Sequence, residues 1–123
     1  MAAYKSFEEL PIWQEARTLV VFIYSLTKVS EFSKDFGLKD QMQRACVSIM
    51  TNIAEGFERR STKEFSQFLN YAKASSGEVR SLAFVASDLN YTTDEQFNSV
   101  RENTIDLSKS ISGFDYYLSQ SNR

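Results

Sequence analysis

The chain has no histidine among its 123 residues. Histidine is the side chain most often used as a general base and as a metal ligand, so its absence excludes histidine-dependent catalytic dyads and the common zinc sites. The Glu-x-x-His pairs that hold metal ions inside helical bundles cannot be assembled either. The sequence therefore predicts a protein that is not an enzyme and that uses no cofactor and no metal ion.

Cysteine, proline and glycine are also scarce, with one cysteine, one proline and four glycines. A single cysteine, Cys46, allows no disulfide within the chain, which favours a reducing compartment. So few turn-forming residues argue against a fold of many strands. Cys46, Tyr116 and Tyr117 are interpreted as packing residues.

Long apolar runs are missing as well. The longest covers residues 19–24, far short of the roughly 20 residues that a membrane helix needs. Near the N-terminus, Glu8 and Glu9 stand where an export signal would be basic and then apolar. We therefore expect no membrane partner, no export signal and a cytoplasmic location.

What the chain does contain is an ordinary globular composition, with 42% hydrophobic and 24% charged residues, and this predicts a single domain over residues 1–123. Pro11 marks a helix start, and residues 61–64 and 93–96 are capping boxes that open two further helices. Short links make neighbouring helices antiparallel, so the fold class is all-α, an up-down-up-down four-helix bundle. The predicted helices cover about residues 11–29, 38–58, 62–89 and 94–119.

Helices 1 and 2 carry more apolar surface than one bundle can bury. On a helical wheel with about 100° per residue, apolar residues surround most of helix 1 and widen the apolar arc of helix 2. The simplest explanation is another copy of the chain packed against them, and the alternative is the scatter of apolar residues found on any protein surface. The residues expected at the oligomer interface are Val21, Phe22, Val47, Met50 and Ala54.

A polar seam lies beside the apolar face of helix 2, within an arc of about 80°. Its arginine and its glutamate are about three turns apart, so each is expected to find a partner on another helix or subunit. The seam either fixes packing and register or lines a pore or ligand site, and the absence of a nucleophile-base pair favours the structural interpretation. The seam consists of Gln41, Arg44, Ser48, Asn52 and Glu55, and Arg59 continues it.

Several short strings of residues resemble one bacterial family. Asn-Ile-Ala-Glu-Gly occupies residues 52–56, Trp-Gln-Glu-Ala residues 13–16, Gly-Leu-Lys-Asp-Gln residues 37–41 and Glu-Val-Arg residues 78–80. In this order they resemble the four-helix-bundle proteins encoded by intervening sequences of 23S rRNA genes. The resemblance covers about residues 7–91, whereas helix 4 shares only its apolar period.

This resemblance implies a small cytoplasmic bundle that assembles into a homopentameric ring, described as ribosomal-protein-like or RNA-associated, with no established catalysis. A related bundle, the accessory protein of diversity-generating retroelements, is also a pentamer and binds RNA and reverse transcriptase through a basic surface. The expected partners are therefore the chain itself and either RNA, a ribosomal component or a reverse transcriptase.

The basic residues that could bind RNA centre on the junction of helices 2 and 3, and a ring would multiply their weak contacts. Interleaved glutamates and a pI near 5.2 argue instead for a solvated junction with local ion pairs. The net charge of -2 supplies no long-range attraction to RNA. Three functions stay open: an RNA-binding scaffold, a protein-interaction scaffold with no nucleic-acid role, and an accessory-type bundle of a retroelement. The candidate RNA-binding residues are Arg59, Arg60 and Lys63, with Lys73 and Arg80 further along helix 3.

Overall fold

A computed structural model describes residues 4–121 of the chain. Within that range the protein has four α-helices and no β-strand, which confirms the predicted all-α class. Two 3-10 helices, Phe7–Glu9 and Ser30–Lys34, precede α1 and α2. The helices are α1 (Pro11–Thr27), α2 (Phe36–Phe57), α3 (Thr62–Asp88) and α4 (Asp94–Ser121).

The helices begin where local caps can satisfy their first backbone N–H groups. At α4 the capping box is reciprocal, because Gln96 N donates to Thr93 Oγ1 at 3.1 Å and Thr93 N donates to Gln96 Oε1 at 2.9 Å. At α3, Glu64 N donates to Ser61 Oγ at 3.1 Å, and the Ser61 hydroxyl donates to Glu64 Oε1 at 3.2 Å. Both starts lie where the capping boxes predict them, but only the box at α4 is complete: at α3 the Glu64 carboxylate accepts from the Ser61 hydroxyl, and within residues 4–121 it has no bond to the Ser61 backbone N–H.

The connection between α1 and α2 differs from the prediction. Helix α1 ends at Thr27, because the backbone becomes extended at Val29 (φ -116°, ψ 151°), and α2 begins at Phe36, two residues before Leu38. The earlier start has a physical reason, since Asp35 Oδ1 accepts from Leu38 N at 3.1 Å and caps α2. Phe32 within this connection is fully buried, so the segment is part of the packed structure.

Successive helices pack side by side, and α4 also contacts α1. Contacts are most extensive between α2 and α3 and sparsest between α1 and α4. Together with the short α2–α3 and α3–α4 links, this supports an up-and-down arrangement. The inner faces meet in one core that includes Ile23, Ile49, Leu69 and Leu107, all fully or almost fully buried.

Small hydroxyl residues join α3 to its neighbours inside the bundle. Ser76 Oγ donates to Thr104 O at 2.9 Å, and Ser108 Oγ donates to Ser76 Oγ at 3.1 Å. These bonds satisfy polar groups that would otherwise be costly to bury.

None of the helices in residues 4–121 is long and apolar enough to cross a membrane.

Tyrosines near the end of α4 correct one prediction. Tyr116 is 68% exposed, so its interpretation as a packing residue is wrong. Its position on the outer side of α4 explains this, because the core contacts there are made by the adjacent Leu118 and by Phe114. Tyr117 is 41% exposed, and its ring lies 5.8 Å from that of Phe114.

Candidate functional site

The turn between α2 and α3 carries three cationic side chains within five residues. Arg59, Arg60 and Lys63 are all exposed. The turn is tight, because Glu58 N donates to Ala54 O at 3.2 Å and Arg59 N donates to Gly56 O at 3.1 Å. We call these three residues the junction cluster.

Arg59 is positioned by an aromatic pair on α3. Its guanidinium carbon lies 4.6 Å from the ring centroid of Phe68, which is a cation–π distance. The Phe68 ring packs edge-on against that of Tyr71 with 5.6 Å between centroids. Gln67 Nε2 donates to the Tyr71 hydroxyl at 2.9 Å, and Tyr71 is 47% exposed. The junction cluster is thus continuous with a partly exposed aromatic surface.

Neither Phe68 nor Tyr71 was predicted as a site residue. Arg59 and Phe68 are separated by a turn, and only the closing of that turn places the guanidinium over the ring. One signal in the sequence could have found the pair: aromatic residues three apart in the first three turns of a helix that begins two residues after Arg60.

Acidic residues share this end of the bundle, but in the described part of the chain none of them forms an ion pair with the junction cluster. A shallow cavity of about 530 Å³ is lined by Glu55, Glu58 and Arg59 together with Phe7 and Ala54. Across residues 4–121, however, the salt bridge present is the exposed Lys34–Glu31 pair. The local ion pairs of the alternative interpretation are therefore not formed among these side chains.

The other two candidate RNA-binding residues lie apart from the junction cluster. With a rise of about 1.5 Å per residue, Lys73 and Arg80 lie about 15 and 25 Å from Lys63 along α3. They are also rotated by about 80–100°, toward the side on which Ser76 contacts α4. Lys73 is exposed and Arg80 is half-buried. The structure therefore gathers three of the five predicted cations.

A second candidate surface runs across the outer sides of α1 and α2. Three cavities of about 530, 550 and 520 Å³ adjoin there. The first two share Val21 and Ser25, and the last two share Tyr24 and Gln43. We call this continuous region, which includes Val21, Phe22, Tyr24, Arg44 and Val47, the α1–α2 surface.

The predicted interface residues distribute unevenly over this region. Val21 is 67% exposed, whereas Phe22 and Val47 are half-buried. All three line the α1–α2 surface. Half-buried Met50 packs against the core, and Ala54 lines the cavity beside the junction cluster.

The polar seam of α2 divides into an inner and an outer part. Asn52 Nδ2 donates to Ser48 Oγ at 3.0 Å, and Ser75 Oγ on α3 donates to the same atom at 3.0 Å. Gln41 Nε2 reaches Glu78 Oε2 on α3 at 3.4 Å. The bonds of Ser48 and Gln41 join α2 to α3, whereas the bond from Asn52 lies within α2.

Arg44 and Glu55, the charged members of the seam, point outward. Both are exposed, and within residues 4–121 neither has a hydrogen-bond or ion-pair partner. Arg44 lines the α1–α2 surface beside Asp40, and Glu55 lines the cavity at the junction. Neither therefore has the partner that the sequence led us to expect on a neighbouring helix of the same chain.

Groups with shifted pKa values lie outside both surfaces. Burial raises the pKa of the Cys46 thiol to about 12, and its Sγ donates to Gln43 O at 3.2 Å. Burial also raises the pKa of Glu15, against a hydrogen bond from Ser110 that lowers it, and the charge of Asp106 adds to the rise. Over the described part of the chain, no three His, Cys, Asp or Glu side chains are grouped to hold a metal ion.

Comparison with known families decides what kind of protein this is. A family model described as 23S rRNA-intervening sequence protein matches residues 8–113. The chain belongs to this family. The resemblance stated from the sequence is thereby confirmed. The matched residues of this 23S rRNA-intervening sequence protein include the junction cluster, the polar seam and the α1–α2 surface.

A solved structure is similar to this 23S rRNA-intervening sequence protein. It is that of a protein with unknown function from the S23 ribosomal protein family of Bacteroides thetaiotaomicron, determined at 1.70 Å resolution. The two are 22% identical, with a TM-score of 0.79 over 85% of this chain and 95% of the other. At this identity the likeness shows the fold alone. No curated protein matches the chain.

The Asn-Ile-Ala-Glu-Gly string of this 23S rRNA-intervening sequence protein has a clear local role. It ends at Gly56, which is buried against α3. A Cβ atom at this position would lie 2.7 Å from Phe65 Cδ1 and 2.8 Å from Phe68 Cβ. Only glycine allows this close approach of α2 to α3, and the approach holds Phe68 where Arg59 can cover it.

Proposed function

We propose that this 23S rRNA-intervening sequence protein is a non-catalytic, homo-oligomeric scaffold that binds RNA through the junction cluster. The observation that carries the proposal is the exposure at one turn of Arg59, Arg60 and Lys63, none of which forms an ion pair within residues 4–121. Cationic side chains left free in this way can replace the counterions of RNA phosphates. A cytoplasmic location, which the single unpaired Cys46 favours, belongs to the same proposal.

Prior positioning of Arg59 supports this role. A guanidinium held over Phe68 has lost part of its rotamer freedom before RNA arrives, so binding costs less conformational entropy. Arg60 and Lys63 extend the positive region on either side of the turn. Because the whole chain has a net charge of -2, attraction to phosphates must be local and strongly dependent on salt.

The α1–α2 surface supports self-association. It exposes Val21 and Tyr24, at 67% and 43%, inside a continuous concave region that another copy of the chain could cover. Arg44, which has no partner in its own described chain, lies in the same region and would find one across a subunit boundary. The resemblance implies five subunits in a ring, and a ring repeats a weak RNA contact.

The test compares two triple variants by fluorescence anisotropy with a labelled stem-loop RNA over a range of salt concentrations. The first replaces Arg59, Arg60 and Lys63 with alanine, and we expect weaker binding and a flatter dependence of log Kd on log salt. The control replaces Lys34, Arg101 and Lys109, three exposed cations elsewhere, and removes the same charge. Equal losses in both variants would show that the junction cluster is not the site.

A protein-interaction scaffold is the second candidate, and the continuous α1–α2 surface is the observation that favours it. It becomes the better explanation if the wild-type oligomer binds no RNA even at low salt. Light scattering on the same samples establishes whether an oligomer is present, so that loss of RNA binding is not confused with loss of assembly.

A further inference from the structure

We propose that the junction cluster selects unpaired RNA, with one base stacked on the ring of Tyr71. The inference rests on the proposed function and adds the kind of RNA that is bound. It begins from the aromatic pair beside the cations, which electrostatic attraction to phosphate does not require.

The contacts form an unbroken series from cation to exposed ring. The Arg59 guanidinium lies 4.6 Å from the Phe68 centroid, and the Phe68 and Tyr71 centroids are 5.6 Å apart with an interplanar angle of 77°. Gln67 Nε2, 2.9 Å from the Tyr71 hydroxyl, restrains the phenol. Tyr71 is nevertheless 47% exposed. A restrained, half-exposed ring next to free cations has the features of a platform for a nucleobase.

The spacing along α3 allows one strand to use both kinds of contact. Lys63, Gln67 and Tyr71 follow one another at intervals of four residues, so they extend over about 12 Å of α3 and turn by about 80° around it, in the direction opposite to Lys73 and Arg80. A phosphate can therefore meet Lys63 while a nearby base of the same strand reaches Tyr71.

Duplex RNA could use the phosphate contacts with the cations but not the stacking surface of Tyr71. Its bases are already stacked inside the helix, and proteins recognise it mainly by shape and through phosphate and 2′-hydroxyl groups. An unpaired base can stack on an aromatic side chain, which strengthens binding without adding charge. Tyr71 should therefore raise the affinity for single strands and leave the affinity for duplexes unchanged.

The experiment measures binding of a labelled, unstructured RNA of about 12 nucleotides and of the blunt duplex that it forms with its complement. Tyr71→Leu removes the aromatic face and keeps an apolar helix-forming side chain, while Tyr71→Phe keeps the face. We expect Tyr71→Leu to weaken single-strand binding by about fivefold or more, with the salt slope and the duplex affinity unchanged. Tyr71→Phe should bind single strands within about twofold of the wild type.

The outcomes separate this inference from the proposed function. If Tyr71→Leu leaves single-strand affinity unchanged, or lowers both affinities equally, while the Arg59, Arg60 and Lys63 triple variant loses both, the stacking role is overturned and RNA binding stands. If the wild type binds neither RNA at low salt, RNA binding itself is wrong. Circular dichroism checks each fold, and Tyr71→Gln replaces Tyr71→Leu if the leucine variant aggregates.

Discussion

The hydroxyl of Tyr91 donates a hydrogen bond of 3.0 Å to Oδ2 of Asp35, a residue 56 positions earlier in the chain. Oδ1 of the same carboxylate accepts from Leu38 N and caps α2. The Tyr91 ring also stacks on buried Phe32, with centroids 5.2 Å apart. One carboxylate thus joins the start of α2 to the turn between α3 and α4, at the end of the bundle away from the junction cluster.

Removing the Asp35 carboxylate should destabilise the fold. We expect Asp35→Ala to lower the free energy of unfolding by about 1 kcal/mol, because the first turn of α2 loses its cap. Asp35→Asn keeps an oxygen that can accept from Leu38 N, so its free energy of unfolding should fall by less. Urea denaturation followed by circular dichroism gives both values. Equal midpoints for Asp35→Ala and the wild type would contradict the capping role.

The free energy of unfolding should fall in alkaline solution. Burial raises the pKa of Cys46 from 9.0 to about 12, so between these values the unfolded state loses its proton first. The unfolded state then binds fewer protons than the folded state, and stability decreases as pH rises through this window. The hydrogen bond to Asp35 also raises the pKa of Tyr91, so its titration acts in the same direction at the upper end of the range.

Variants separate the two contributions. Urea midpoints measured at about pH 8 and about pH 11 should differ less for Cys46→Ala than for the wild type, because the alanine variant has no thiol to ionise. Tyr91→Phe should also reduce the difference between the two urea midpoints, because it removes the phenol hydroxyl that ionises at high pH. An identical loss of stability in the wild type and in Cys46→Ala would exclude a contribution from the thiol.

A methyl group at residue 56 should disturb the contact between α2 and α3. Gly56→Ala places a Cβ atom 2.7 Å from the Phe65 ring, and we expect overpacking to cost about 1–3 kcal/mol. Gly113→Ala is the matched control, because, apart from its chain neighbours and the backbone of its own helix, no described atom lies within 4 Å of its Cβ position. The free energy of unfolding of Gly113→Ala should rise by about 0.5–1 kcal/mol, because alanine has a higher helix propensity than glycine. If denaturation curves show Gly56→Ala to be more stable than Gly113→Ala, the close approach of α2 to α3 at Gly56 is contradicted.

A charge on the α1–α2 surface should weaken assembly. Val21→Glu is the cleanest variant, since Val21 is 67% exposed and the fold of one subunit does not depend on it. Phe22→Glu and Val47→Glu should act in the same direction, because each would place a charge in a desolvated contact. Val85→Glu, at a 43% exposed position on α3, is the control and should keep the oligomer size.

Light scattering at micromolar concentration reads out the assembly of these variants. A wild-type mass of 14.1 kDa, that of one chain, would contradict self-association itself. A wild-type oligomer that survives Val21→Glu would place the interface on another surface.

The starts of α1, α3 and α4 could be predicted from the sequence, because Pro11 and the capping residues Ser61 and Thr93 each act within one turn. The connection before α2 could not, since Phe36 and Gly37 directly after Asp35 are poor helix formers. The packing of this connection depends on Tyr91, which is distant in sequence.

In the candidate site, too, the features set by neighbouring residues could be predicted, whereas those set by contacts between helices could not. A run of cations identified Arg59, Arg60 and Lys63, because closeness along the chain persists in a tight turn. Lys73 and Arg80 were grouped with them by residue type, but helical rise and rotation separate them. The aromatic partners of Arg59 depend on how α3 folds back on α2, and no local pattern contains that geometry.

The sparse contact between α1 and α4 affects the order in which the helices of the bundle assemble and unfold. Helices α2 and α3 share the most extensive contacts and a short link, so they form a hairpin that can assemble early with little loop entropy. Helix α1 is held chiefly by α2, so we expect its detachment to be the least costly partial unfolding of the bundle. Subunits joined through the α1–α2 surface would close this route, so assembly would slow the exchange of the α1 amide protons with solvent.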